Sequence, residues 1–226
     1  METLRADHLV KDYKGARGTI RALDDVSFTV QRGEIIAVIG ASGSGKSTLF
    51  HILGSVDRPT GGTVYLNDQN IFEQNEEQLA IFRRREVGII YQFNTLLPLL
   101  TVRENILLPA MLDSTTADED DYRMIVERLG LAGLEDAFPE ELSGGQQQRV
   151  AIARTLISKP SVVLSDEPTG NLDRINAQAI MDLFKWCNRQ YRQTILFITH
   201  DDTIARQADR VLCLKNGKLA NGDPDR

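Results

Sequence analysis

The chain is short of cysteine, of long apolar runs and of excess positive charge. Cys187 and Cys213 are the only cysteines in 226 residues, and they lie in helix-like and strand-like apolar contexts. Two such thiols cannot build a disulfide framework, and they have no metal-ligand spacing, so reduced buried thiols are expected. No stretch of about eighteen apolar residues occurs. The nearest candidate, 94–112, is interrupted by Pro98, Arg103, Glu104 and Pro109, so no membrane span is expected. The opening Met1-Glu2-Thr3-Leu4-Arg5-Ala6-Asp7 lacks the basic-then-apolar layout of a secretory signal. With 26 Lys+Arg against 32 Asp+Glu, the net charge is −6. That balance offers no broad basic face and argues against a nucleic-acid partner. Repeats and low-complexity tracts are also missing.

What is present is punctuated by glycine. Gly40-Ala41-Ser42-Gly43-Ser44-Gly45-Lys46-Ser47 has the G-x-x-x-x-G-K-S spacing of a phosphate loop. The branched run Ile35-Ile36-Ala37-Val38-Ile39 before it reads as a buried strand, and Ser47-Thr48-Leu49-Phe50-His51-Ile52-Leu53 after it reads as a helix stopped by Gly54. Glycines let successive N–H groups turn inward, and the helix dipole adds positive potential, so phosphate oxygens fit the cup. Lys46 is placed to reach the β- and γ-phosphates, and the Ser47 hydroxyl to ligate a bridging magnesium. A plain Gly/Ser turn does not require this strand, this helix and the Lys-Ser pair together.

A second β-rich run, Val162-Val163-Leu164-Ser165, ends in Asp166-Glu167. Adjacent side chains at a strand end point differently, so the two carboxylates can take different tasks. Asp166 suits magnesium, through water; Glu167 suits a general base that polarises the attacking water. Alone, the pair could be a solvated acidic turn.

Strand-like segments up to about Val30 suggest an antiparallel layer. Beyond them, 35–39, 89–91, 162–165, 194–199 and 211–214 alternate with helical patterns, which predicts a mostly parallel sheet covered on both faces. Between Gln92 and Ser143 the apolar spacing becomes helical. There Asp118-Glu119-Asp120-Asp121 reads as a helix N-terminus, where negative charge is favoured. Asn216-Gly217 reads as a hairpin turn.

In order, the chain carries the phosphate loop, Gln92 after Val87-Gly88-Ile89-Ile90-Tyr91, Leu142-Ser143-Gly144-Gly145-Gln146, Asp166-Glu167, Asn171-Leu172-Asp173 and His200. From about Leu4 to Gly217 this series resembles the nucleotide-binding domain of ABC transporters. The resemblance implies an α/β P-loop NTPase with a mostly parallel central sheet, an antiparallel β layer and an inserted helical subdomain. On that pattern 1–226 is one ATP-binding domain, with 1–92 and 158–226 as core and 93–157 as the helical part carrying 142–146. ATP and Mg2+ are the implied cofactors. The phosphate loop with Thr48 would hold ATP, Tyr13 would stack on adenine, and Gln92 would touch magnesium and the water. Ser143, Gly145 and Gln146 would meet the γ-phosphate held by a second copy, in a head-to-tail homodimer. Asp173 would cross that interface, and His200 would contact the γ-phosphate; His8 and His51 lack such context and read as structural or surface residues. An integral membrane permease would supply the solute pathway, placing the chain at the cytoplasmic face of the membrane.

Gly88-Ile89-Ile90-Tyr91-Gln92-Phe93-Asn94, Leu96-Leu97-Pro98, Gln146-Gln147-Gln148-Arg149 and the 166–173 segment are similar to the group that includes lipoprotein-release, macrolide-export and peptide-antibiotic-resistance transporters. Two departures stand out: Ser165 replaces the usual apolar residue before the magnesium aspartate, and Asn94-Thr95 shifts a common pattern. The groove for the membrane subunit should include Phe93, Leu97, Arg83 and Arg84. A soluble ABC ATPase acting on DNA or ribosomes is the alternative. It would carry long coiled coils or two cassettes in one chain; a simple P-loop kinase or GTPase would not need 142–146.

Overall fold

The computed structural model describes residues 1–15, 18–92, 96–170 and 173–220. Two sheets stack through one of two apolar layers. The first sheet is antiparallel, formed by β1 (Glu2–Gly15), β2 (Gly18–Gln31), β4 (Gly61–Leu66) and β5 (Gln69–Asn70) in the order β2-β1-β4-β5. The second contains β3 (Ile35–Ile39), β6 (Val87–Ile90), β7 (Val162–Asp166), β8 (Thr194–Ile198), β9 (Arg210–Lys215) and β10 (Lys218–Leu219). Their order is β10-β9-β3-β8-β7-β6, parallel except for the β9–β10 hairpin. That hairpin turns at Asn216 (φ 49°) and Gly217 (φ 77°), as the Asn-Gly dipeptide predicts.

Parallel strands buried on both faces need continuous apolar sequence, and alternation then divides their side chains between two cores. Ile36, Val38, Val162, Leu164, Leu196 and Ile198 point into a layer shared with the antiparallel sheet, α1 (Lys46–Leu53) and α2 (Glu76–Glu86). Ile35, Ala37, Val163, Ile195 and Phe197 point the other way, toward α3 (Val102–Leu112), α4 (Glu119–Arg128), α5 (Gly144–Ile157) and α6 (Arg174–Tyr191). A short α7 (Asp202–Ala205) follows β8. Every described element between β6 and β7 is helical: α3, α4, a 3-10 turn at Pro139–Glu141, and α5.

Local chemistry sets the helix starts. Asn75 and Thr101 close capping boxes with Gln78 and Glu104 at α2 and α3. Asp118 caps α4 by accepting from the amides of Asp120 and Asp121, so the acidic run is a helix start. Asp121 also ties α4 to the core, accepting from Lys159 and Tyr191. Cys187 is buried in α6, its thiol pushed up to about 12 chiefly by burial, while Cys213 is half-buried in β9.

Ser165 is fully buried in β7, and its hydroxyl has no partner. A buried hydroxyl without a hydrogen bond costs about 1–3 kcal/mol. Ser165→Ala is therefore expected to stabilise the fold by about 1 kcal/mol, raising the midpoint of thermal unfolding by roughly 2–4 °C for a chain of this size. An unchanged or lowered midpoint in a calorimetric melt would mean that the hydroxyl is satisfied in solution.

Candidate nucleotide site

Four neighbouring parallel strands, β3, β8, β7 and β6, deliver every predicted nucleotide-facing group of the core except Tyr13 and Asp173. Their register aligns Val38 with Ile198, Ile198 with Asp166, and Ser165 with Ile90. The next residues, namely the phosphate loop, His200, Glu167 and Gln92, therefore emerge side by side at the carboxyl edge of the sheet. In an open α/β sheet that edge is where ligands bind.

At the phosphate loop, close packing explains Gly40 and Gly45, and a positive φ of 75° explains Gly43, which has open space around it. A Cβ on Gly40 would lie 2.2 Å from the Leu214 carbonyl oxygen, and one on Gly45 (φ 105°) would lie 2.4 Å from that of Ala22. No side chain caps α1 and its first turn holds no acid, so its leading amides and dipole stay available to an anion. Ala41, Ser42 and Ser47 are exposed, Lys46 and Thr48 half-buried. The Lys46 ammonium donates back to the carbonyls of Gly40 (2.7 Å) and Ala41 (2.9 Å), resting in its own loop. Ser44 is buried with an unpartnered hydroxyl.

Beside it, Glu167 is the hub of a polar cluster. One carboxylate oxygen lies 2.9 Å from His200 Nδ1, and the other accepts from Gln92 Nε2 at 3.4 Å. Glu167 sits at φ 47°, held by hydrogen bonds from its N–H to Ile198 O (3.0 Å) and from the Gly170 N–H to its carbonyl (3.1 Å). A non-glycine residue in this region is strained, and such strain gathers at functional positions. Burial, and then the negative charge of Glu167, raise the Asp166 carboxyl above its ordinary range; His51 and Lys46 oppose them. His51, read as structural or surface from the sequence, is half-buried on α1.

The donors suit magnesium. Ser47, Asp166 and the Gln92 amide offer hard oxygen ligands, and Asp166 is a partly buried carboxylate that a nearby cation would stabilise. Among the described residues no cluster of three His, Cys, Asp or Glu could hold a metal. A cation here would need the phosphate oxygens and water to complete its shell, which is how magnesium binds nucleotides.

Tyr13 lies on β1, where it pairs with Ile20; two residues further along β2 is Ala22, whose carbonyl abuts Gly45. The phenol is 41% exposed and donates to Asp57 at 3.0 Å, with the Lys11 ammonium 5.0 Å from the ring centre. Lys11 also bonds Asp57 at 2.6 Å. Asp57, which no motif marks, thus orients the ring; its carboxyl is pushed up by burial but held low overall by Lys11, Tyr13 and the Arg58 amide.

The second predicted cup lies elsewhere. Ser143 caps α5: its hydroxyl accepts from the Gln146 amide (3.3 Å), and its own N–H donates to the Gln146 side chain (2.7 Å). The helix begins at Gly144 and runs to Ile157. Ser143 and Gly144 are exposed and Gly145 half-buried. Asp173 caps α6 and is held below the usual carboxylate range, first by the Asn176 backbone N–H and then by its side chain. Phe93, Asn94, Thr95, Asn171 and Leu172, named from the sequence, lie outside the described residues.

Near Gln92, a 560 Å³ cavity is lined by Ser55, Val56, Leu79, Arg83 and Tyr91 among others. Leu97, Leu99, Met111 and Leu112 are exposed nearby in sequence, Leu99 to 88%. Arg83 donates to the Ser55 carbonyl, and Arg84 is paired with Asp113. Both guanidiniums are thus engaged within the chain.

Residues 23–170 match the model of the ABC transporter family. The chain belongs to that family. It is an ABC cassette, an ATPase that binds ATP. It is 43% identical over 220 residues to the lipoprotein-releasing system ATP-binding protein LolD of Cytophaga hutchinsonii, covering 96% of this chain and 99% of that one. The LolD of Bordetella avium is also 43% identical, with 97% and 96% covered. Among solved structures, the cassette resembles MJ0796 in a dimeric post-hydrolysis state bound to ADP and Pi, with TM-score 0.90, 34% identity and 99% of each chain covered. It also resembles the cbiO1 subunit of a Clostridium perfringens ABC transporter complex, at TM-score 0.82 and 30% identity, covering 97% and 87%. No described helix is long and apolar enough to cross a membrane.

Proposed function

We propose that this cassette is the ATP-binding subunit of a complex that releases or exports lipoproteins or similar amphiphiles, and that two copies close head to tail on two MgATP. The observation that carries the dimer is the placement of the two anion cups. The helix behind Lys46 packs in one apolar layer of the central sheet, and the helix behind Ser143 packs in the other. Cups on opposite faces of one sheet are poorly placed to grip the same triphosphate within one chain, whereas two copies related by a two-fold axis can pair them. The solved dimeric relative supports a dimer, and the LolD relatives support the substrate class.

In this reading Lys46 and the α1 amides hold the β- and γ-phosphates. Bound magnesium would neutralise phosphate charge, held by Ser47, Asp166 and Gln92. Glu167 takes the proton of the attacking water, while His200 and Gln92 orient it. Ser143 and Gly145 of the second copy meet the γ-phosphate, and Asp173 of each copy approaches the facing phosphate loop. Phosphate release removes the bridging contacts and lets the dimer open. The cavity beside Gln92 and exposed Leu97 and Leu99 receive the membrane subunit, placing the cassette at the cytoplasmic face. The helical segment 93–157 then turns against the core.

Ser143→Asp tests the second cup, because aspartate caps helices as well as serine does but sets a negative charge against the γ-phosphate. Light scattering should show an ATP-dependent dimer of the Glu167→Gln protein and a monomer once Ser143→Asp is added, with the melting temperature unchanged. A dimer that survives the added charge overturns the head-to-tail assignment. Reconstitution with the membrane subunits in lipoprotein-loaded proteoliposomes tests the substrate: ATP-dependent release supports the reading, and hydrolysis without release refutes it.

A further inference from the structure

Two consecutive side chains of α5 leave their own lobe. Gln148 is 5% exposed, and its Nε2 donates at 3.3 Å to the carbonyl of Tyr91, the residue directly before Gln92. Arg149 Nη1 donates at 2.7 Å to Asn176 Oδ1. Asn176 in turn donates its backbone N–H to Asp173 Oδ1 at 2.9 Å and its side-chain Nδ2 to Oδ2 at 2.7 Å. Neighbouring residues on a helix point about 100° apart, which lets one turn reach β6 and α6 together. Thr155, on the same face as Gln148 two turns later, makes a long contact to the Ile89 carbonyl at 3.4 Å.

We propose that Gln148 and Arg149 are positioning residues that carry the orientation of the Ser143 helix to Gln92 and Asp173 of the same chain. Packing alone gives no reason for them. A buried glutamine in a helix interior costs desolvation that leucine or methionine of similar volume would avoid. Arg149 likewise leaves its Nε buried without a partner while its Nη1 reaches Asn176. What these polar groups supply is direction: a hydrogen bond fixes a carbonyl or a carboxylate at a definite angle, whereas apolar contact lets surfaces slide. Through two short relays, a turn of the helical lobe would displace the backbone at Gln92 and the Asp173 cap together. The proposal rests on the roles given above to Gln92 and Asp173.

The test uses the full chain with Gln148→Met, which fills the same space without the donor. In the nucleotide-free protein, amides of 87–92 should exchange with deuterium about tenfold faster, with β3 and β8 unchanged; unchanged exchange at 87–92 overturns the proposal. That readout does not depend on what Gln92 does in hydrolysis. Turnover should fall about fivefold in the native background and less than about twofold when Gln92→Ala is already present. Equal factors in the two backgrounds would mean that Gln148 acts by packing only, and would also overturn it. If Gln92→Ala leaves turnover intact, the role assigned to Gln92 fails and the exchange result alone decides. If Gln148→Met does not fold, Asn176→Ala, on the half-exposed first turn of α6, takes its place. Its effect on turnover should vanish in the Asp173→Ala background, and a multiplicative effect overturns the proposal.

Discussion

Glu167→Gln is expected to lower ATP turnover by about 100- to 10,000-fold, the range that a positioned general base contributes, while ATP affinity stays near the native value. The substitution is nearly isosteric. A glutamine at φ 47° keeps the hydrogen bonds of its backbone to Ile198 and Gly170, and its amide can still face His200 and Gln92. What disappears is the carboxylate that accepts a proton from water. Losing that negative charge also relieves the repulsion that helps to raise the Asp166 carboxyl, so the magnesium ligand should ionise more readily. Binding is therefore preserved or tightened, and the ATP-loaded dimer accumulates. Single-turnover hydrolysis beside equilibrium titration with a fluorescent ATP analogue separates the two effects. A mutant that hydrolyses at the native rate would remove Glu167 from the role of base.

Lys46→Ala is expected to weaken ATP binding by roughly 10- to 100-fold, the equivalent of about one charge-assisted hydrogen bond. Part of the loss is offset in the free protein. The Lys46 ammonium already donates to the carbonyls of Gly40 and Ala41, and those bonds are given up or rearranged when phosphate arrives. Alanine leaves the two carbonyls facing inward without a cation, a poor lining for a polyanion. The loop itself should keep its shape, because close approach to Leu214 and Ala22 holds Gly40 and Gly45. Isothermal titration with MgATP measures the effect, and an unchanged dissociation constant would show that the phosphates lie elsewhere.

Much of the site was legible because its residues are local in sequence. The phosphate loop needs a strand, a tight turn and a helix within some twenty residues, and 35–53 supply all three. Asp118 could be recognised as a helix start because capping depends on residues two and three positions ahead. The Asn216-Gly217 hairpin depends on two residues. Asp57 could not be found: it meets Lys11 and Tyr13 across more than forty residues, and nothing near it marks the contact. Gln148 and Arg149 were visible only as part of the 146–149 segment that carries the family resemblance; their partners lie 57 and 27 residues away.

By itself the sequence determined the alternation of strand and helix, the glycine loop leading into the helix at Lys46 and the acidic pair at a strand end, since each follows from periodicity or glycine freedom among near neighbours. The tertiary structure alone decided that Gln92, Glu167 and His200 meet at one sheet edge, that the two cups lie on opposite faces, and that Ser165 is buried without a partner. Those facts follow from strand order and register, which depend on contacts between segments far apart in the chain and are not encoded in any single stretch of it.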